Sequence, residues 1–407
     1  MNRIVLIGNG FDLAHDLKTS YKDFIEGYWK YKFNKFANEY SAVSKDLLCT
    51  LEREDGNSWN IVYQELTRRN LAPLSGEQVW KYIREDRYCN VTYSDFFGKI
   101  IKSIETKGWV DIENEYYNLL TKYAFEESSK EKLTRLNGQL EYLKLLLVDY
   151  LKSIENQAIA IDIIKKKIFA PIRIEDISVA AQNSVKDWVD SWMKENISVV
   201  KKKIRRYGLK IEDYTESINY FHRNYRTGKC LYTDVPAVYM LPDTVTLLSF
   251  NYTKTPELYH NEYLDLINYI HGKVDDPQSV IFGYGDELDA SFKELQNLDN
   301  DECLKNVKTI RYLESANYRK ILRFMESAPY QVYIMGHSCG NSDRTLLNTL
   351  FEHKNCISIK PYYYRKDDGF DNYIELVQNI SRNFTDMKLM RDRVVNKEYC
   401  ETLKPYQ

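Results

Sequence analysis

The segment Arg3-Ile4-Val5-Leu6-Ile7-Gly8-Asn9-Gly10-Phe11-Asp12 carries a short, continuously apolar run that stops at a glycine. A run of this kind, bounded by a turn residue, predicts a central parallel strand buried on both faces. Gly8-Asn9-Gly10 follows it directly, and the residues from Phe11 onward are compatible with the start of a helix. A strand, a glycine turn and a helix start place backbone N–H groups where a phosphate can sit. The full GxGxxG fingerprint is absent, because Leu occupies position 13.

Working outward, the strand has no obvious partner nearby. From Thr19 to about Arg226, apolar and aromatic residues recur at three- and four-residue spacing, as in Tyr142-Leu143-x-Leu145-Leu146-Leu147. The spacing predicts helices over 20–38, 58–70, 91–106, 110–126, 129–167, 183–205 and 211–225. Short β-like runs return after Pro242: Val245–Phe250, Leu266–Ile270, Val280–Phe282, Val332–Met335 and Ile357–Lys360. Alternation of such runs with helical stretches predicts an α/β fold with a parallel sheet. The expected organisation is therefore a discontinuous core of residues 1–19 and 227–407, interrupted by an all-helical insertion over 20–226.

Composition narrows the function. The chain has 407 residues, with 57 Lys and Arg against 59 Asp and Glu. That balance supplies no field to draw a nucleic-acid backbone or an anionic membrane. The lysine runs at 165–167 and 201–203 read as solvated helix faces. Seven scattered cysteines form no CxxC pair, so neither a disulfide framework nor a metal site is expected. Ile4–Ile7 is too short for a signal-peptide core or a membrane span, which makes the cytoplasm the expected compartment. The 34 tyrosines follow no repeat and carry no functional reading.

Ligands of open α/β sheets bind at the carboxyl ends of the strands. Five expected strand ends carry glycine or small polar clusters: Gly8–Asp12, Ser249-Phe250-Asn251-Tyr252-Thr253, Ile270-His271-Gly272, Gly283-Tyr284-Gly285-Asp286 and Gly336-His337-Ser338-Cys339-Gly340-Asn341-Ser342-Asp343. Gly8, Gly10, Asn251, His271, Gly336 and Ser338 are expected to share one crevice.

This ordered set resembles the AbiH-type abortive infection family of bacterial anti-phage proteins, most specifically over Leu6–Leu17 and Thr19-Ser20-Tyr21. The same order looks like a reduced sirtuin, implying a Rossmann-like, sirtuin-like core. The chain departs from sirtuins in its glycine loop and in lacking a four-cysteine module after His271. The resemblance implies binding or hydrolysis of NAD. Asn251 would orient the ribose and a water, His271 would act as base or hold ribose hydroxyls, and Asp12 would steady the developing cation. Gly8, Asn9, Gly10 and Phe11 would hold the diphosphate side, with Gly283, Gly336, His337, Ser338 and Asp343 lining the rest of the nucleotide. A phage protein acting as trigger, or a second copy meeting the helical block, are the partners it suggests.

Gly336-His337-Ser338-Cys339-Gly340 also fits a G-x-S-x-G nucleophile elbow. Its weakness as a hydrolase is that His353 is the only histidine after the serine. A non-catalytic nucleotide sensor is the third reading.

Overall fold

The computed structural model describes residues 1–69, 73–195, 197–261, 265–366 and 369–404. Its strands are β1 Asn2–Ile7, β2 Val43–Lys45, β3 Cys49–Arg53, β4 Cys89–Tyr93, β5 Val245–Ser249, β6 Asp265–Tyr269, β7 Tyr330–Met335 and β8 Cys356–Tyr362. Five of them make one parallel sheet in the order β6-β5-β1-β7-β8. The apolar run at the N-terminus thus lies at its centre, with Val5 opposite Leu247 on one side and Tyr333 on the other. Every β1 residue is buried. Taken in chain order, these five strands are arranged 3-2-1-4-5, which is compatible with a Rossmann-like core.

The chain divides into two compact units. The first comprises residues 1–17, 157–273 and 312–407 and contains the parallel sheet. Residues 157–226, grouped with the insertion on sequence grounds, pack here. One reason is Arg3, a fully buried charge in the central strand. Its guanidinium donates to the carbonyls of Ile168 at 2.8 Å and Ala170 at 2.6 Å and to Gln331 Oε1 at 3.1 Å, and lies over the Tyr333 ring. A buried cation needs such partners, so the 168–170 segment is held against the sheet.

The second unit comprises residues 18–156 and 274–311. It is not all-helical: β2, β3 and β4 form a three-stranded antiparallel sheet in it. Cys49, Leu51 and Arg53 are buried while Glu52 is exposed, a period of two that a search for helical spacing passes over. The helix expected over 91–106 is accordingly a strand followed by the helix Asp95–Lys107, begun by the Ser94 side chain accepting from Phe97 N–H. The long helix expected over 129–167 ends at Ile154, and the segment resumes as Asp162–Ile168 in the first unit. Asn70 and Asn196, inside expected helices, lie outside the described residues.

The helix Tyr21–Phe36 begins with a capping box: Ser20 Oγ accepts from Asp23 N–H at 3.1 Å, and the Asp23 carboxylate accepts from Ser20 N–H at 3.2 Å. Ser20→Ala removes one side of this exchange and is expected to cost about 1 kcal/mol. A urea midpoint indistinguishable from the parent would contradict that expectation.

Val280–Phe282 is not a strand. The run is buried in the second unit as a loop, because its neighbours satisfy the backbone without a ladder: Gly283 N–H donates to Glu113 Oε1, Tyr284 N–H to the Asn306 carbonyl, and Lys308 N–H to the Tyr284 carbonyl. A short apolar run alone does not distinguish these outcomes. Among the described residues, no helix is long and apolar enough to cross a membrane.

Candidate functional site

Four of the five expected strand ends belong to the parallel sheet: those after β1, β5, β6 and β7. Gly283 is elsewhere, in the second unit, where a side chain would meet the Asn306 carbonyl oxygen at 2.0 Å.

The glycine turn after β1 is packed against the turn after β7. A Cβ on Gly8 would lie 2.5 Å from His337 Cα, one on Gly10 2.9 Å from Gly336 Cα, and one on Gly336 2.0 Å from Phe11 N. Gly8 N–H donates to the Met335 carbonyl at 3.3 Å, Gly10 N–H to that of Gly336 at 2.8 Å, and Phe11 N–H to that of Gly8 at 2.8 Å. The amides expected to cradle a phosphate are therefore committed to the fold, and the glycines serve close backbone approach instead. Phe11 is fully buried in the apolar cluster of Val5, Ile7, Leu247, Tyr259 and Met335, so it is a core residue. Asn9 remains exposed.

Two polar groups adjoin this turn. In the first, Asn251 Nδ2 donates to the Gly8 carbonyl at 2.9 Å, and Thr253 Oγ1 donates to Asp12 Oδ2 at 2.7 Å. Asn251 thus spends its amide tying β5's end to the β1 turn. It is buried, as is His271, although both were expected at a crevice surface. Burial pushes the Asp12 carboxyl up to about 6, while hydrogen bonds from Thr253, Thr255 and Asn251 pull it the other way. Asp12 Oδ1 has no hydrogen-bond partner.

In the second group, His271 Nε2 lies 3.2 Å from Asp343 Oδ1 and 3.1 Å from the Tyr312 hydroxyl. His337 Nε2 lies 3.7 Å from the other oxygen of the same carboxylate. The Phe250 ring is shared by both imidazoles, with centroids 5.2 Å from His271 and 4.2 Å from His337. Asp343, expected to line the nucleotide, here stands between two histidines. All five side chains are buried. Phe250, Thr253 and Tyr312 were not singled out from the sequence; the first two lie inside the Ser249–Thr253 motif, whereas nothing local marks Tyr312.

Ser338 is exposed, and its carbonyl accepts from Asn379 Nδ2 at 3.0 Å. The elbow reading fails on geometry. β7 and β8 run parallel, with Tyr330 opposite Cys356 and Met335 opposite Tyr362. Ser338 follows the carboxyl end of β7, while His353 precedes the amino end of β8. The intervening strand length separates them by roughly 20 Å. His353 instead lies 3.1 Å from Glu326 Oε1. Cys339 offers no substitute nucleophile, since complete burial pushes its thiol far above the usual range.

Among the described residues, no group of three or more His, Cys, Asp and Glu side chains is arranged to hold a metal ion. The family described as Bacteriophage abortive infection AbiH matches residues 4–364. No curated protein and no solved structure matches the chain.

Proposed function

Because the chain belongs to the AbiH family, whose description points to phage abortive infection, we propose that its sheet-end site acts in that response on a nucleotide, by cleaving the nicotinamide–ribose bond of NAD. The observation that carries the proposal is the gathering of Asp12 and the His271–Asp343–His337 row at the carboxyl edge of one parallel sheet, where such folds receive ligands. Their burial is costly, and costly ionisable groups collect at working sites.

The chemistry fits these groups. Nicotinamide leaves neutral with the bonding pair, a water oxygen bonds to the ribose carbon, and the water's surplus proton passes to His271. Asp12 offers negative charge to the cationic transition state. Asn251 acts indirectly, by fixing the turn that carries Asp12. With the neighbouring amides committed, Asn9 is the loop residue left to meet a diphosphate.

The test is infection of cells carrying the parent chain or His271→Ala, with NAD and nicotinamide followed by chromatography and phage counted by plating. The parent is expected to lower NAD and protect, and His271→Ala to lose both effects at unchanged protein level. Protection with NAD unchanged would overturn the hydrolytic reading. A nucleotide sensor without turnover would instead show as NAD binding by calorimetry with no nicotinamide released.

A further inference from the structure

We propose that Asp343 is a positioning residue that fixes the tautomer of His271, which presents Nε2–H to the carboxylate, beside a His337 ring whose own tautomer is set by Cys339. The inference rests on the reading of His271 as the base, and it names the nitrogen that does the work.

The assignment follows from donors and acceptors. Cys339 N–H approaches His337 Nδ1 at 3.0 Å. An amide N–H can only donate, so Nδ1 carries no proton and the neutral ring bears it on Nε2. That nitrogen lies 3.7 Å from Asp343 Oδ2, beyond hydrogen-bond reach. On the other side, His271 Nε2 faces Asp343 Oδ1 at 3.2 Å. The Tyr312 hydroxyl, 3.1 Å from the same nitrogen, can either donate or accept, but a bare Nε2 would set its lone pair against an ionised carboxylate that only accepts, so this ring too bears its proton on Nε2. The basic atom of His271 is therefore Nδ1.

The fold keeps this arrangement stiff. Cys339 has φ +54°, a conformation that a non-glycine residue holds only where its surroundings impose it. Asn383 Nδ2 donates to the Cys339 carbonyl at 2.9 Å and Asn379 Nδ2 to that of Ser338, so the helix Tyr373–Arg382 and the residue after it clamp the turn. Asp343 directly precedes the helix Arg344–Glu352, whose N-terminal dipole favours the charged carboxylate. Phe250 closes the space between the rings.

In Asp343→Asn the negative charge that opposes a bare Nε2 is gone, and the Tyr312 hydroxyl 3.1 Å away can donate to that nitrogen. His337 is held by Cys339 N–H, so His271 is the ring expected to move its proton to Nδ1.

The experiment uses the full chain labelled with 15N in the imidazole rings, the two resonance pairs being assigned with His271→Gln and His337→Gln. In the native protein with neutral rings, both histidines are expected to show a protonated Nε2 and a bare Nδ1. In Asp343→Asn, His271 is expected to exchange the two signatures, and nicotinamide release to fall by about 10²- to 10⁴-fold, the range for a misplaced general base. A bare Nε2 on native His271 overturns the proposal, as does an Asp343→Asn protein in which neither ring changes. The native spectrum settles the matter even where the variant does not fold. Native protein showing both expected tautomers but releasing no nicotinamide would instead overturn the reaction and leave the positioning role in place.

Discussion

Gly336→Ala is expected to destabilise the fold severely, by about 3 kcal/mol or more. The native φ at this position is +74°, which an alanine adopts at a cost of roughly 1 kcal/mol. The larger part is steric. The new methyl would sit 2.0 Å from Phe11 N and 2.4 Å from Gly10 C, and both are backbone atoms at the start of a helix rooted in the central strand. Relief would require the β1 and β7 turns to part, breaking the bond from Gly10 N–H to the Gly336 carbonyl. Set against a usual stability of about 5–15 kcal/mol, such a loss is severe. Gly340→Ala is the matched control, because its nearest neighbour would be Ser338 Oγ at 3.6 Å. Soluble yield and thermal midpoint should collapse for the first substitution and hold for the second. Equal midpoints would mean that the two turns do not meet as described.

Asp12→Asn is expected to act in the opposite direction and to depend on pH. Burial raises the Asp12 carboxyl from 3.8 to about 6, so the folded state favours the protonated form. The sign follows: below the unfolded value the folded protein bears no penalty, and the stabilising preference for the proton is lost as pH rises through the folded value. Above pH 6 the full cost of ionisation applies. A shift of about two units corresponds to about 3 kcal/mol. Asparagine does not ionise, and it can still accept from Thr253 through Oδ1. Unfolding midpoints should therefore rise for Asp12→Asn at pH 8, with the advantage shrinking toward pH 4. A variant less stable than the parent at pH 8 would remove the case for a buried charge. The same substitution should abolish nicotinamide release if the proposed reaction holds, which is the stability cost expected of a working carboxylate.

Asn251 and Gly10 show how far motif reading reaches. Both were correctly expected at strand ends of one sheet, because an apolar run ending in glycine or small polar residues has few other places to go. Their work was not legible. Asn251 bonds to the Gly8 carbonyl across 243 positions of sequence, and Gly10 is small for the sake of Gly336. Asp343 is a sharper instance. Its place in a glycine-rich strand end marked it as ligand-facing, yet its neighbours are two imidazoles from separate strand ends.

What the sequence by itself determined is the centre of the sheet. Ile4–Ile7 is uniformly apolar and has no partner for more than two hundred residues, so it could only be a buried strand awaiting Val245–Ser249 and Tyr330–Met335. The helices from Tyr21 to Arg226 were mostly readable for the same reason, since their periodicity is local. The tertiary structure alone decided the fate of Val280–Phe282, the antiparallel strands around Leu51, the burial of Arg3, and the meeting of His271, Asp343 and His337. Each depends on donors, acceptors or surfaces supplied from distant parts of the chain, and a one-dimensional pattern records the apolar face a segment must bury without recording what it is buried against.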